Sequence, residues 1–200
     1  NVSWESSSLL ENNIVRNNRA RSFLISTSKE VIVRNNYFSS QMSALRITGD
    51  LDLWNESGPC EDLLIENNTF VDCLYGGQKG HYVIMIDPQY SNEDYMVSKY
   101  SKNITIKNNI FKTFDPKIIL ALSVDGLKFE NNKIFQTNTY PAYSAENETL
   151  KIINSNNVSI KNNYFKSFDG GKGSIKVDDK SSNIYLSKDQ HLIKKTNKLN

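Results

Sequence analysis

Acidic side chains surround a tryptophan in segment 49–61, which reads Gly-Asp-Leu-Asp-Leu-Trp-Asn-Glu-Ser-Gly-Pro-Cys-Glu. Cleavage of a glycosidic bond requires a carboxylic acid and a carboxylate, about 5–5.5 Å apart for retention of anomeric configuration and about 6.5–9.5 Å apart for inversion. Asp50 and Glu56 supply two carboxyl groups close to Trp54, whose ring offers a platform for a sugar. We therefore predict Asp50 and Glu56 as catalytic carboxylates and Trp54 as a substrate-binding residue. The alternative is that these acidic residues are ordinary solvated turn formers.

Three further polar residues lie beside strand-like runs. Asp87 follows the run Tyr-Val-Ile-Met-Ile at 82–86, and Arg19 and Arg21 precede the run Ser-Phe-Leu-Ile at 22–25. Two arginines at the start of a strand can form forked hydrogen bonds to hydroxyls or to a carboxylate. We predict Arg19, Arg21 and Asp87 as substrate-binding residues, with a plain charged turn as the alternative for the arginines.

Several classes of site and partner are not indicated by the sequence. His81 and His191 are the only histidines, and neither lies in a metal-binding motif, so we predict no metal and no cofactor. Asp178-Asp179 is the only hint of a calcium-type cluster. The 24 basic and 22 acidic residues are interspersed and give a net charge of +2, which predicts no nucleic-acid partner. No apolar run approaches the length of a membrane span, and the oligomeric state stays open.

Asparagine recurs in pairs that end short apolar runs. The chain contains 26 asparagines, and the shortest interval between pairs is 23 residues. The pairs are Asn12-Asn13, Asn35-Asn36, Asn67-Asn68, Asn108-Asn109, Asn131-Asn132 and Asn162-Asn163. A period of this length with strand-like runs indicates stacked β-coils rather than paired helices, whose repeats are longer.

Alternating apolar positions before each pair predict a buried column. These positions are Val31/Val33, Leu63/Ile65, Ile104/Ile106, Leu127/Phe129 and Val158/Ile160. The same alternation predicts that the first asparagine of each pair faces inward and bonds to its equivalent in the next coil, which makes a ladder. A large apolar residue three positions later predicts a second buried column, made of Val15, Phe38, Phe70, Phe111, Ile134 and Phe165.

The residue before each pair alternates in charge along the chain. The series is Glu11, Arg34, Glu66, Lys107, Glu130 and Lys161. Stacked coils would place opposite charges next to each other, whereas a slipped register would place like charges together. The alternation therefore favours this register.

A second strand is predicted after each turn, in the runs at 22–25, 44–47, 82–86, 118–122 and 174–177. A third strand per coil has only a weak signal and is expected to be replaced often by loop. We predict an all-β fold, a right-handed parallel β-helix of about six coils over residues 1–179, with residues 180–200 as a C-terminal cap or tail. Cys60 and Cys73 are more typical of free thiols than of a disulfide in such an apolar-cored chain.

Several motifs resemble glycoside hydrolase family 110, the α-1,3-galactosidases. They are Val-Ser-Trp-Glu-Ser-Ser at 2–7, Asn-Asn-Arg-Ala-Arg at 17–21, Leu-Ile-Ser-Thr at 24–27, Gly-Asp at 49–50, Trp-Asn-Glu-Ser-Gly at 54–58, Ile-Glu-Asn-Asn-Thr-Phe-Val at 65–71 and Ile-Met-Ile-Asp-Pro at 84–88. The resemblance covers about the first 90 residues in order and spacing. Beyond them only the general repeat continues.

The resemblance implies a metal-independent, inverting, exo-acting hydrolase that removes terminal α-1,3-linked galactose from a glycan. It also implies a secreted or periplasmic protein of which this chain is the C-terminal part, with the catalytic carboxylates here or upstream. Two alternatives stay open: another β-helix polysaccharide enzyme of the lyase or polygalacturonase type, and a non-catalytic carbohydrate-binding or structural solenoid.

Overall fold

A computed structural model describes residues 6–49, 58–76, 79–89, 98–143, 148–188 and 191–195. The strands are β1 Ser8–Glu11, β2 Ile14–Asn18, β3 Phe23–Ile25, β4 Val31–Arg34, β5 Tyr37–Ser40, β6 Leu45–Ile47, β7 Glu61–Glu66, β8 Thr69–Val71, β9 Ile84–Ile86, β10 Ser101–Lys107, β11 Ile110–Thr113, β12 Ile119–Leu122, β13 Val124–Glu130, β14 Lys133–Gln136, β15 Glu148–Ile153, β16 Asn156–Lys161, β17 Tyr164–Ser167, β18 Gly173–Val177, β19 Ser182–Leu186 and β20 Leu192–Lys194.

Each strand pairs with the corresponding strand of the preceding coil, and this pairing forms three parallel sheets. Sheet A runs β1-β4-β7-β10-β13-β16-β19, sheet B runs β2-β5-β8-β11-β14-β17, and sheet C runs β3-β6-β9-β12-β15-β18-β20. Six coils therefore contain all three strands, and β19 and β20 add a partial seventh coil. The predicted parallel β-helix is confirmed.

The core consists of columns that run along the stack, as the apolar spacing predicts. The inward positions of sheet A, such as Val33, Ile65 and Ile106, are completely buried. In sheet B the rings of Phe38, Phe70 and Phe111 stack, with centroids 5.1 Å and 4.7 Å apart. Stacked aromatic rings contribute stabilising free energy beyond that of burying their area. This column therefore favours the register in which the rings of neighbouring coils align.

The asparagine ladder exists, but the prediction of which asparagine faces inward is wrong. From Asn36 onward the second residue of each pair is buried: the Asn68 Nδ2 donates to the Asn109 Oδ1 at 3.0 Å, and the Asn109 Nδ2 donates to the Asn132 Oδ1 at 3.1 Å. The first residue has a positive φ, 55° at both Asn67 and Asn108. Asparagine tolerates this left-handed conformation, and one such residue shifts the inward–outward alternation by one position.

The expectation of a weak third strand is also wrong, because sheet B has a strand in each of the six complete coils. These strands directly follow the asparagine turn and carry the phenylalanine column. The runs predicted as second strands correspond instead to sheet C. Exposed polar residues between the buried positions of sheet B, such as Lys112 and Lys166, dilute the apolar signal that identifies a strand.

The predicted alternation of charge appears as ion pairs on the outer face of sheet A. Arg34 bonds to Glu11 at 2.7 Å, Lys107 to Glu66 at 3.3 Å, and Lys161 to Glu130 at 3.8 Å. Each pair joins two adjacent coils in register. Exposed pairs contribute only about 0.2–1 kcal/mol each, so they serve register more than total stability.

Both cysteines are free and buried, and burial raises the pKa of each thiol to about 12. They are therefore protonated, unreactive core residues at neutral pH. In the segment predicted as a cap or tail, β19 extends sheet A and β20 extends sheet C. The division at residue 179 stays a prediction. Within the described ranges, no helix is long and apolar enough to cross a membrane.

Candidate functional site on the outer face of sheet C

An ion pair on the outer face of sheet C joins the second and third coils. Leu45 and Ile47 of β6 point into the core, so the alternation of a strand turns Arg46 outward. The Arg46 Nη2 donates to the Asp87 Oδ2 at 3.1 Å, and the two side chains are only 14% and 19% exposed. A pair shielded to this degree holds its geometry better than a solvated one.

Asp87 is held in place by its own turn. It directly follows β9, and its backbone N–H donates to the Ile47 carbonyl at 2.9 Å. Its other carboxylate oxygen, Oδ1, accepts from the Gln89 N–H at 2.9 Å. Because both oxygens have fixed donors, Asp87 orients the Arg46 guanidinium and leaves the remaining donors of that group in a defined direction.

His81 lies at the same place, at the end of the loop that leads to β9. Burial lowers its pKa, the positive charges of Arg46 and Arg21 lower it further, and Asp87 acts in the opposite direction. The imidazole is therefore neutral at neutral pH. A neutral imidazole has one donor nitrogen and one acceptor nitrogen, which suits a hydroxyl group as partner.

Buried polar atoms without a partner are concentrated here. Within the ranges that the structure describes, the side-chain atoms of this kind are Ser22 Oγ, Ser26 Oγ, Ser43 Oγ, Arg46 Nε and His81 Nδ1. All of them belong to the first three coils: Ser22 and Ser26 flank β3, Arg46 lies on β6, and Ser43 and His81 lie in the segments that lead to β6 and β9. Because a buried polar group left unpaired costs about 1–3 kcal/mol, such a concentration indicates a place where a polar ligand supplies the missing bonds.

A second carboxylate, Glu148, is buried, and its hydrogen bonds are already supplied by the protein. It bonds to Lys176 at 2.8 Å and accepts from the Tyr82 hydroxyl at 3.3 Å, with Lys151 at 3.9 Å. Burial raises its pKa, but the two lysines and the tyrosine outweigh that effect, so the pKa lies below its usual range. Glu148 therefore joins neighbouring coils rather than serving as an acid.

Of the residues predicted from sequence, the structure describes Arg19, Arg21 and Asp87 but not the other three. Arg21 and Asp87 act electrostatically on the same His81, whereas Arg19 is an exposed residue two positions earlier in the loop. Their role in substrate binding stays a prediction. Asp50, Trp54 and Glu56 lie outside the described residues. They follow Gly49, which is buried against the Tyr100 ring so closely that a Cβ would overlap it.

Arg46 and His81 were not predicted as site residues. Arg46 is a charged residue between two apolar ones in a short strand, and His81 ends an insertion. The register of the stacked coils is what brings these two residues to one place. Arg46 of β6 pairs with Met85 of β9, and these residues are far apart in the sequence. Asp178, the hint of a calcium cluster, accepts the Asn154 N–H at 3.1 Å as a turn residue. Within the described ranges no three metal-binding side chains come together.

The His81 site gives a testable titration. Asp87→Asn is expected to lower the pKa of His81 further, and Arg46→Met to raise it towards its usual value, as followed by NMR of the imidazole protons. Because the folded pKa is below the unfolded one, His81 costs stability as pH falls from the unfolded value through the folded value. Arg34→Met, which removes a matched arginine from sheet A, should leave the titration unchanged. Identical titrations in all variants would contradict the placement of His81.

A family model described as "Right handed beta helix region" matches residues 2–190. An α-1,3-galactosidase A of Bacteroides fragilis is 44% identical over 125 residues, which cover 62% of this chain and 20% of that protein. An α-1,3-galactosidase B of Phocaeicola vulgatus is 35% identical over 176 residues, covering 84% of this chain and 29% of that protein.

An α-1,3-galactosidase B of Akkermansia muciniphila is 37% identical over 165 residues, covering 82% of this chain and 20% of that protein. The chain thus spans between a fifth and three tenths of the length of these relatives. The similarity extends over most of the coils described above.

Proposed function

This chain belongs to the right-handed β-helix family and is related to the α-1,3-galactosidases of glycoside hydrolase family 110, and from that premise we propose that the complete protein releases terminal α-1,3-linked galactose. The cluster of Arg46, Asp87 and His81 would bind the sugar. The observation that carries the proposal is that two buried, unpartnered polar atoms, Arg46 Nε and His81 Nδ1, belong to the residues that interact with Asp87.

The chemistry of these atoms suits a neutral sugar. Arg46 Nε is a donor, the neutral His81 Nδ1 is a donor or an acceptor, and the serine hydroxyls are both. A pyranose presents several hydroxyl groups in fixed directions, each of which donates and accepts. Arg21, an exposed residue whose charge acts on His81, would extend this set to a further hydroxyl.

The proposed mechanism inverts the anomeric configuration. Of Asp50 and Glu56, one carboxylic acid would protonate the glycosidic oxygen while the other carboxylate removes a proton from water. The water oxygen then forms a bond to C1 from the opposite face as the C1–O bond to the leaving sugar breaks. The acid ends deprotonated and the base protonated, and β-galactose is released. Trp54 would support the sugar ring.

A carbohydrate partner and a secreted or periplasmic location belong to the same proposal. The support is the relation to the α-1,3-galactosidases, together with hydrogen-bonding groups of the Arg46–Asp87 pair and the neutral His81 that suit sugar hydroxyls. No metal or cofactor is required by this mechanism.

The test is hydrolysis of an α-1,3-galactosyl disaccharide by the complete protein, with the α-1,4-linked isomer as control. We expect galactose from the first substrate only, with β-galactose as the first anomer in NMR spectra taken at once after mixing. Glu56→Gln should remove most of the turnover. Release of α-galactose would overturn the inverting mechanism, and absence of galactose would overturn the activity and favour a binding solenoid.

A further inference from the structure

A groove lies at the corner between sheets B and C, in the three coils that follow the His81 loop. It has a volume of about 410 Å³, and its lining includes Phe114, Gln136, Asn138, Tyr140, Phe168 and Asp169. Gln136 ends β14, and the others belong to the loops that follow β11, β14 and β17, where the chain passes from sheet B to sheet C. His81 lies in the corresponding loop of the third coil.

Two aromatic side chains of the groove are exposed, Tyr140 at 45% and Phe168 at 58%. Tyr140 is supported from below, because its ring packs edge-to-face on the buried Phe114, with centroids 5.2 Å apart. Its ring also stacks near Tyr75 at 6.2 Å and 22°. The exposed Tyr140 ring is therefore held in position by its contacts with Phe114 and Tyr75.

That base is itself fixed by further contacts. Tyr143 packs edge-to-face on Phe114 at 5.6 Å, and its hydroxyl donates to the Tyr75 carbonyl at 2.9 Å. The Tyr143 N–H donates to the Asp115 Oδ2 at 3.1 Å. The loops after β8 and β14 are thus tied together beneath Tyr140.

Polar groups surround the rings. Asn138 is exposed, and the Gln136 side chain donates to the Phe114 carbonyl at 3.4 Å. Asp169 accepts from the Ser167 hydroxyl and from the Gly171 N–H, and these two bonds hold its pKa below the usual range. Asp169 is therefore an anionic acceptor at neutral pH, and its remaining lone pairs face solvent.

We propose that this groove is a second carbohydrate-binding site, which takes the neutral sugar residues that follow the terminal galactose in a glycan chain. Exposed rings suit the C–H faces of a pyranose, and an amide and a carboxylate suit its hydroxyls. Neither lysine nor arginine is among the described residues of the lining, and the carboxylate would repel an anionic sugar. The occupant is therefore a neutral oligosaccharide.

The loop between β8 and β9 has a residue near each site. Tyr75 at the beginning of that loop contacts Tyr140, and His81 at its end belongs to the Arg46 cluster. Coils stack about 4.8 Å apart, so Tyr140 and Phe168, two and three coils beyond His81, lie about 10–15 Å from it along the stack. A short oligosaccharide can bridge this distance. The link to terminal galactose rests on the proposed function, whereas the binding of neutral sugars does not.

The test compares Tyr140→Ala and Phe168→Ala in the complete protein, with Tyr185→Ala as the matched control. Tyr185 is 57% exposed, about as much as Phe168 and more than Tyr140, but lies on β19 of sheet A. The probe is a neutral tetrasaccharide of alternating galactose and N-acetylglucosamine, with and without a terminal α-1,3-galactose. Binding of the form without it, measured by calorimetry, should weaken about tenfold in each groove variant, the loss expected for one aromatic contact, and stay unchanged in the control.

Hydrolysis provides the second measurement. With the form that carries α-1,3-galactose, KM should rise about tenfold in the groove variants, whereas kcat/KM for the α-1,3-galactosyl disaccharide stays unchanged. Should Tyr140→Ala fail to fold, Phe168→Ala decides, since that ring is the more exposed. Tetrasaccharide binding that is equal in wild type and both variants would overturn the groove. Binding that weakens as expected without any galactose release would uphold the groove and overturn only the proposed activity.

Discussion

Asn109→Ala is expected to lower the free energy of unfolding by about 3–5 kcal/mol, since it leaves several buried groups unpaired at about 1–3 kcal/mol each. The Asn109 Oδ1 accepts the backbone N–H and the side-chain amide of Asn68 at 2.9 Å and 3.0 Å. Its Nδ2 donates to the Ile65 carbonyl at 3.0 Å and to the Asn132 Oδ1 at 3.1 Å. No water replaces these bonds readily, because Asn109 is completely buried.

The matched control is the neighbouring residue, Asn108. Its side chain is exposed, and its φ of 55° is a conformation that glycine adopts without cost. Asn108→Gly should therefore change the free energy of unfolding by less than about 1 kcal/mol. Urea denaturation monitored by circular dichroism measures both variants. A loss at Asn108 equal to the loss at Asn109 would contradict the assignment of the ladder to the second asparagine.

The repeat itself could be predicted from the sequence because every coil must satisfy the same physical constraints. The apolar alternation at Val31 and Val33, the phenylalanines and the alternating charges all report one register. The ladder was assigned to the wrong asparagine because alternation was carried through a residue with positive φ. Both members of an asparagine pair tolerate the left-handed conformation, so the pair alone does not indicate which of them turns the chain and which is buried.

The site was harder to predict than the coils. Arg21 and Asp87 could be chosen because they stand next to strand-like runs, but Arg46 lies inside one. Its partner Asp87 is 41 residues away, and the two side chains meet only because the insertion between their coils leaves the stacking of β6 on β9 intact. Burial decides the pKa of His81, and burial of a loop residue depends on packing that no local pattern encodes.

Arg46→Met is expected to lower kcat/KM for the α-1,3-galactosyl disaccharide about 100-fold, since hydrogen bonds to a charged group contribute about 1.5–3 kcal/mol each. The guanidinium is the charged donor of the proposed sugar site, and methionine keeps its length without its hydrogen bonds. Arg46→Lys should restore only a part of the activity, because an ammonium group cannot bond to Asp87 and also present the rigid Nε donor. Initial rates at several substrate concentrations measure both.

Asp87→Asn separates orientation from direct binding at the same place. It removes the charge that holds Arg46 but keeps the acceptor oxygen for the Gln89 N–H, so the effect should be smaller than that of Arg46→Met. The double variant should lose little more than Arg46→Met alone, because residues that share one ion pair are not additive. Arg34→Met breaks the exposed pair with Glu11 and should leave kcat/KM unchanged. Equal activity in Arg46→Met and Arg34→Met would remove Arg46 from the site, and independent losses from Arg46 and Asp87 would mean that the pair does not act as one unit.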